Sequence, residues 1–199
     1  IYYIILDAYA NTEILKKEFN YDNKTFENYL NQSDFFIVKN SFSNYHSTFL
    51  SLASTLNMRY VNFLKDSLGV NSSDRGIPNK MIKNNRISKY LKNKGYNIVN
   101  FKSSFAPTHK NEIADFNLSE KIIIDDFTSN FLQTTILRPL FALYYRDNIR
   151  QNVNYMLSEI PKLGYITSPK FIFAHFLSPH PPYVFDENGG KLSRSIRLN

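Results

Sequence analysis

Three polar positions in the chain have the types and spacing to do chemistry together: Asp7, the Ser47-Thr48 pair and His180. Asp7 ends an unbroken apolar run, Ser47-Thr48 opens an apolar helical pattern, and His180 follows a second long apolar run. A hydroxyl at a helix N-terminus sits among backbone N–H groups that lack intrahelical partners, at the positive end of the helix dipole. Both favour an alkoxide and an incoming anion. A nearby carboxylate can hold a divalent cation that lowers the hydroxyl's pKa and turns it into a nucleophile. An imidazole can hydrogen-bond the substrate or the leaving group. Each residue also has a plainer role. Asp7 can close a turn, Ser47 or Thr48 can be an ordinary N-cap, and His180, flanked by prolines, can stiffen a loop. His175 lies within a strand pattern and reads as a satisfied core histidine rather than a ligand. His46 and His109 carry no supporting pattern.

The elements that must position these groups follow from periodicity. Ile1-Tyr2-Tyr3-Ile4-Ile5-Leu6 does not alternate, which predicts a strand covered on both faces. A helix over 12–19, with Thr12 as its cap, and another over 24–31 lead to a second buried strand over 34–39. Helical patterns begin at Ser47-Thr48, continue over 59–68, and run from Pro78 to Asn93. Gly95 and a strand over 96–101 complete the return leg of a crossover. The stretch 103–117 reads as irregular, and Ile122-Ile123-Ile124 is too short to classify. Helices are predicted over 127–145, kinked or broken at Pro139, and over 148–160. The segment 161–169 connects them to a final strand over 170–177. Strands alternating with helices predict an α/β fold: a doubly wound, mostly parallel sheet with helices on both faces. In such sheets ligands collect at the carboxyl ends of the strands, where Asp7 and His180 fall.

Composition narrows the function classes. The 199 residues suit one domain, or most of a larger one, and 43% apolar content supplies a core. With no cysteine, a disulfide framework, thiolate metal sites and a thiol nucleophile are excluded. The net charge is +7, but the lysines are scattered among asparagines and aromatics. No basic helix face or reading motif for nucleic acid emerges. No run approaches the ~18 apolar residues of a membrane span, and no signal peptide precedes the first strand. A chain opening inside a core strand is expected to have sequence upstream.

The chain resembles the amino-terminal half of the alkaline phosphatase-like, or sulfatase-like, superfamily. It is most similar to the membrane-attached cell-envelope branch of lipoteichoic acid synthases and phosphoglycerol or phosphoethanolamine transferases. The resemblance rests on Tyr3-Ile4-Ile5-Leu6-Asp7-Ala8-Tyr9, on Ser43-Asn44-Tyr45-His46-Ser47-Thr48-Phe49-Leu50-Ser51-Leu52-Ala53-Ser54, and on Phe171-Ile172-Phe173-Ala174-His175-Phe176-Leu177-Ser178-Pro179-His180-Pro181-Pro182-Tyr183, with Lys89-Tyr90-Leu91-Lys92-Asn93-Lys94-Gly95-Tyr96 between them. It implies that residues 1–199 form the N-terminal part of one such domain. Asp7 would bind a divalent metal (Mn, Mg, Zn or Ca). Thr48, with Ser47 as the fallback, would be nucleophile and metal ligand, and His180 would meet substrate. The reaction implied is hydrolysis or transfer at phosphorus through a phospho-threonine, on phosphate esters of envelope polymers or lipids. The setting implied is the extracytoplasmic face of a cell membrane, reached through segments outside this chain.

Two departures sharpen the expectation. Sulfatases need a Cys/Ser-x-Pro-x-Arg pattern for formylglycine, and Ser47-Thr48-Phe49-Leu50-Ser51 has neither the proline nor the arginine. The family also completes its metal site with an Asp-His-Gly motif in its carboxyl-terminal half, whereas no aspartate here precedes a histidine. The 199 residues alone are therefore expected to be inactive. The competing expectation is a non-catalytic binding or structural module of the cell envelope. A nucleotide- or sugar-binding domain is disfavoured, because no glycine-rich phosphate loop exists among six glycines.

Overall fold

Two segments rich in β-branched and aromatic residues, around Ile98-Val99 and over 171–176, form the central strands. In the computed structural model, which describes residues 1–39, 41–120 and 126–192, these are β2 (Asn97–Phe101) and β4 (Lys170–Phe176). They pair in parallel and are buried along nearly their whole length. β1 (Tyr2–Leu6) adds to the far side of β4 and the short β3 (Phe116–Leu118) to the far side of β2, both in parallel. The described sheet has the order β1-β4-β2-β3.

Helices cover both faces, as the strand–helix alternation predicts. On one face α3 (Thr48–Asn57), α4 (Leu64–Leu68) and α5 (Gly76–Lys83) pack Leu52, Ala53, Leu56, Leu64 and Ile82 onto Ile98, Phe171 and Phe173. On the other, α8 (Arg138–Glu159) and the 3-10 turn Ile160–Tyr165 pack Val153, Met156 and Leu163 onto Val99, Phe101, Ile172, Ala174 and Phe176. The architecture is a parallel α/β sheet with helices around it. Among the described residues, no helix is long and apolar enough to cross a membrane.

Several expectations are corrected. The run over 34–39 is not a strand. Asp34 turns with a positive φ of 60° after α2 (Lys24–Gln32), and the chain continues as exposed coil, with Phe36 91% exposed. An apolar run makes a strand only when a neighbouring strand edge accepts its backbone, and the described residues offer none there. β1 is a strand, but it is not covered on both faces. Tyr3 and Ile5 join the first core, while Tyr2, Ile4 and Leu6 are exposed, because β1 lies at the edge of the described sheet beyond the reach of α8.

Helix boundaries move for local reasons. Asn11, not Thr12, caps α1 (Thr12–Phe19), its side chain accepting the Ile14 N–H at 3.0 Å. Met58 takes a left-handed conformation, and Tyr45 Oη accepts the Val61 N–H, so only the end of 59–68 is helical. Pro139 opens α8 rather than kinking a helix. The break falls at 134–137, after α7 (Asp126–Gln133), and α8 then runs unbroken through Asp147 and Asn148. The stretch 103–117 is irregular apart from a 3-10 turn, Ala106–Thr108, and the start of β3. Ile122-Ile123-Ile124 lies outside the described residues.

The helix expected from Pro78 to Asn93 divides at Asn84-Asn85. Buried Asn85 accepts the Ser88 N–H at 2.8 Å and donates to the Ile82 carbonyl at 3.0 Å, so it ends α5 and caps α6 (Arg86–Asn93) with one side chain. Asparagine competes with helical backbone bonding in this way. Asn85→Ala leaves both backbone groups buried and unpaired. It is expected to cost about 2 kcal/mol, read from the urea midpoint at unchanged slope.

Candidate functional site

The carboxyl ends of β1, β4 and β2 lie side by side, and three loops leave from them. Asp7 follows β1 directly, its backbone N–H bonding the Phe176 carbonyl at 2.9 Å, which ties it to the end of β4. Ser103 and Ser104 lie two and three residues beyond β2, and the 178–183 turn with His180 follows β4. The N-terminus of α3 meets the same place. Thr48, its first residue, donates from Oγ1 to Asp7 Oδ1 at 3.3 Å across 41 residues of chain. Asp7, Thr48, Ser104, Phe105, Tyr145, His180 and Pro181 are among the residues that line a cleft of about 210 Å³.

Asp7, Thr48 and His180, singled out in the sequence, are thus brought together in one cleft. Ser47 stands at the N-cap of α3, where its carbonyl accepts the Ser51 N–H, but its hydroxyl makes no capping bond. Thr48, not Ser47, is in contact with Asp7. His180 is exposed, and its Nδ1 lies 2.6 Å from the Pro181 carbonyl oxygen. The segment that delivers Thr48 is the coil after α2, not a strand.

Two buried polar groups escaped the sequence reading. Ser104 is 2% exposed, and its hydroxyl has no hydrogen-bond partner among the described residues. His175 is fully buried and only half satisfied. Nδ1 lies 3.0 Å from Thr108 Oγ1, and Phe105 meets the ring edge-on. Nε2 has no hydrogen-bond partner among the described residues and lies 3.8 Å from Asp7 Oδ2. Burial pushes the His175 imidazole down to about 4, with His180 pushing the same way, against an upward pull from Asp7. At neutral pH the ring is therefore neutral, and its approach to Asp7 is a dipole facing a charge rather than an ion pair. The strand-end rule, extended to β2, would have found Ser103 and Ser104. Nothing in the sequence separates a half-satisfied core histidine from a satisfied one.

The donors fit part of a cation's shell. Asp7 and Thr48 offer two hard oxygens to a divalent ion that takes six or more, and the orphaned Nε2 of His175 faces the same carboxylate. Among the described residues, no group of three or more His, Cys, Asp or Glu converges to hold a metal. A larger cavity, about 610 Å³, lies between α1, α2 and the coil residues 37–39 and 41–43. Its Thr12 and Glu27 side chains bond each other, as do Tyr9 and Asn23. It is in the smaller cleft that a helix N-terminus, a carboxylate and buried polar atoms unpaired among the described residues meet. No protein-family model, curated protein or solved structure matches the chain.

Proposed function

We propose that the cleft at the ends of β1, β4 and β2 is the nucleophile side of a phosphoryl-transfer centre, acting on a phosphodiester or phosphoglycerol-type substrate. The observation that supports the reading is the Thr48–Asp7 hydrogen bond at the N-terminus of α3. Thr48 Oγ1 attacks phosphorus while its proton leaves along the bond to Asp7 Oδ1. The P–O bond to the leaving group breaks, its oxygen takes up the proton from Asp7 by way of water and departs as the alcohol, and the phosphoryl group remains on Thr48 as an ester. Water or an acceptor alcohol then attacks phosphorus, breaks the Thr48 Oγ1–P bond and restores the hydroxyl. The first N–H groups of α3 and the Ser104 hydroxyl face the phosphoryl oxygens, and the His180 imidazole binds substrate at the leaving-group side. A divalent ion, when bound by Asp7 and Thr48, would lower the hydroxyl's pKa and offset charge on the phosphoryl oxygens.

The resemblance to the cell-envelope transferases supports the same substrate class and an extracytoplasmic setting at a membrane. A second reading, a non-catalytic module on the same fold, draws on the two-oxygen donor set. Calorimetry with Mn²⁺ on the full-length gene product bears on both. Asp7→Asn is expected to weaken binding by more than the ~10- to 100-fold that loss of an outer-sphere partner costs. An unchanged affinity would refute Asp7 as a ligand, and no binding by the wild type would favour the module.

A further inference from the structure

We propose that His175 is a positioning residue whose Nε2–H orients the Asp7 carboxylate toward Thr48, as the last link of a buried relay from Ser103 through Thr108. The relay is hydrogen-bonded from Ser103 as far as His175 Nδ1, and across its last gap Nε2 faces the Asp7 carboxylate without a hydrogen bond. Ser103 Oγ and Thr108 Oγ1 are 2.6 Å apart, and Thr108 Oγ1 is 3.0 Å from His175 Nδ1. His175 Nε2 is 3.8 Å from Asp7 Oδ2, while Asp7 Oδ1 accepts from Thr48. Ser103, Thr108 and His175 are all at most 2% exposed, so water does not compete for their bonds.

The hydroxyl protons can run in one direction. The Phe105 N–H donates to Ser103 Oγ at 3.2 Å, so that oxygen already accepts. Ser103 can then donate to Thr108 Oγ1, and Thr108 to Nδ1 at 3.0 Å in preference to the Phe105 carbonyl, the other acceptor in its reach, at 3.3 Å. In that arrangement the imidazole proton is on Nε2, facing a carboxylate. The opposite tautomer would turn a bare nitrogen lone pair toward the Asp7 carboxylate, placing two acceptors against each other in a site with little water to screen them. With Oδ2 facing the Nε2–H, Oδ1 is the oxygen turned to the Thr48 hydroxyl. The relay itself stands on the geometry; its consequence for turnover rests on the phosphoryl-transfer reading.

¹⁵N NMR of the histidine-labelled 199-residue chain tests the relay. Neutral His175 is expected as the Nε2–H tautomer, with Nδ1 unprotonated. Thr108→Val removes the donor to Nδ1 and is expected to shift the ring toward the other tautomer, and Thr108→Ser restores the wild-type spectrum. An Nδ1–H tautomer in the wild type, or no change on Thr108→Val, overturns the proposal. In the full-length gene product with bis(p-nitrophenyl) phosphate, His175→Gln keeps an amide donor near the Nε2 position. It is expected to hold kcat within about 3-fold, whereas His175→Asn lowers kcat by about 10- to 100-fold at unchanged KM. Equal losses in both variants overturn the positioning role. No turnover by the wild type would instead strike the phosphoryl-transfer reading, leaving the tautomer to decide the relay.

Discussion

Thr48→Ala in the full-length gene product is expected to lower phosphodiester turnover by roughly 10⁴-fold or more, the scale seen when a covalent nucleophile is deleted. Thr48 is the hydroxyl in contact with Asp7, and it sits at the first position of a ten-residue helix whose dipole favours an anion. Ser47→Ala should leave turnover within a few-fold, since the Ser47 hydroxyl makes no capping bond and its cap position is held by the backbone. Thr48 is only partly buried and its hydroxyl makes one hydrogen bond, so Thr48→Ala should change the thermal midpoint little. Retained activity in Thr48→Ala with loss in Ser47→Ala would transfer the nucleophile to Ser47.

Acidification is expected to destabilise the chelator-treated chain well before the carboxylates titrate, because His175 is buried as a neutral ring. Its folded-state pKa is depressed, largely by burial, to about 4 from 6.5. Above pH 6.5 the ring is neutral in both states and imposes no penalty. As pH falls from 6.5 to 4 the unfolded chain takes up the proton and the folded chain does not, so stability drops through that window and levels off below it. The difference corresponds to about 3 kcal/mol. Asp115 acts lower on the scale. Burial raises its pKa, but the Ile98 N–H and Lys92 outweigh this and hold it below 3.8, so its contribution fades only in stronger acid. Denaturant unfolding between pH 4 and 7 checks this. The wild type should lose stability across the window, and His175→Gln should flatten it. An unchanged slope in the variant would place the acid sensitivity elsewhere.

The parts of the fold that depend on burial alone were legible in the sequence. Ile98, Val99 and Phe101 in β2 and most of β4 are apolar because they lie under helices on both sides, and these are the central strands. Phe35-Phe36-Ile37-Val38 looks much the same on paper. What separates it is a partner edge that only the tertiary structure supplies or withholds, and Phe36 ends in solvent. β1 failed differently: apolarity on both faces was read as double cover, while its position at the sheet edge leaves Tyr2, Ile4 and Leu6 exposed.

The site was legible to the extent that strand ends and helix starts are legible. Asp7, Thr48 and His180 were found by that rule, and they line one cleft. Ser104, Thr108 and His175 were not, because their significance lies in what is missing or shared around them. Among the described residues, Ser104 is buried without a partner and His175 is bonded at one nitrogen only. Such accounting requires every neighbour in place.

Whether Thr48 is the nucleophile is decided by peptide mass spectrometry of the full-length gene product, quenched in acid during turnover of bis(p-nitrophenyl) phosphate with Mn²⁺. A phosphoryl adduct is expected on Thr48, absent from the unreacted protein and from Asp7→Asn. An adduct on Ser47, or steady turnover with no adduct on either residue, would contradict it.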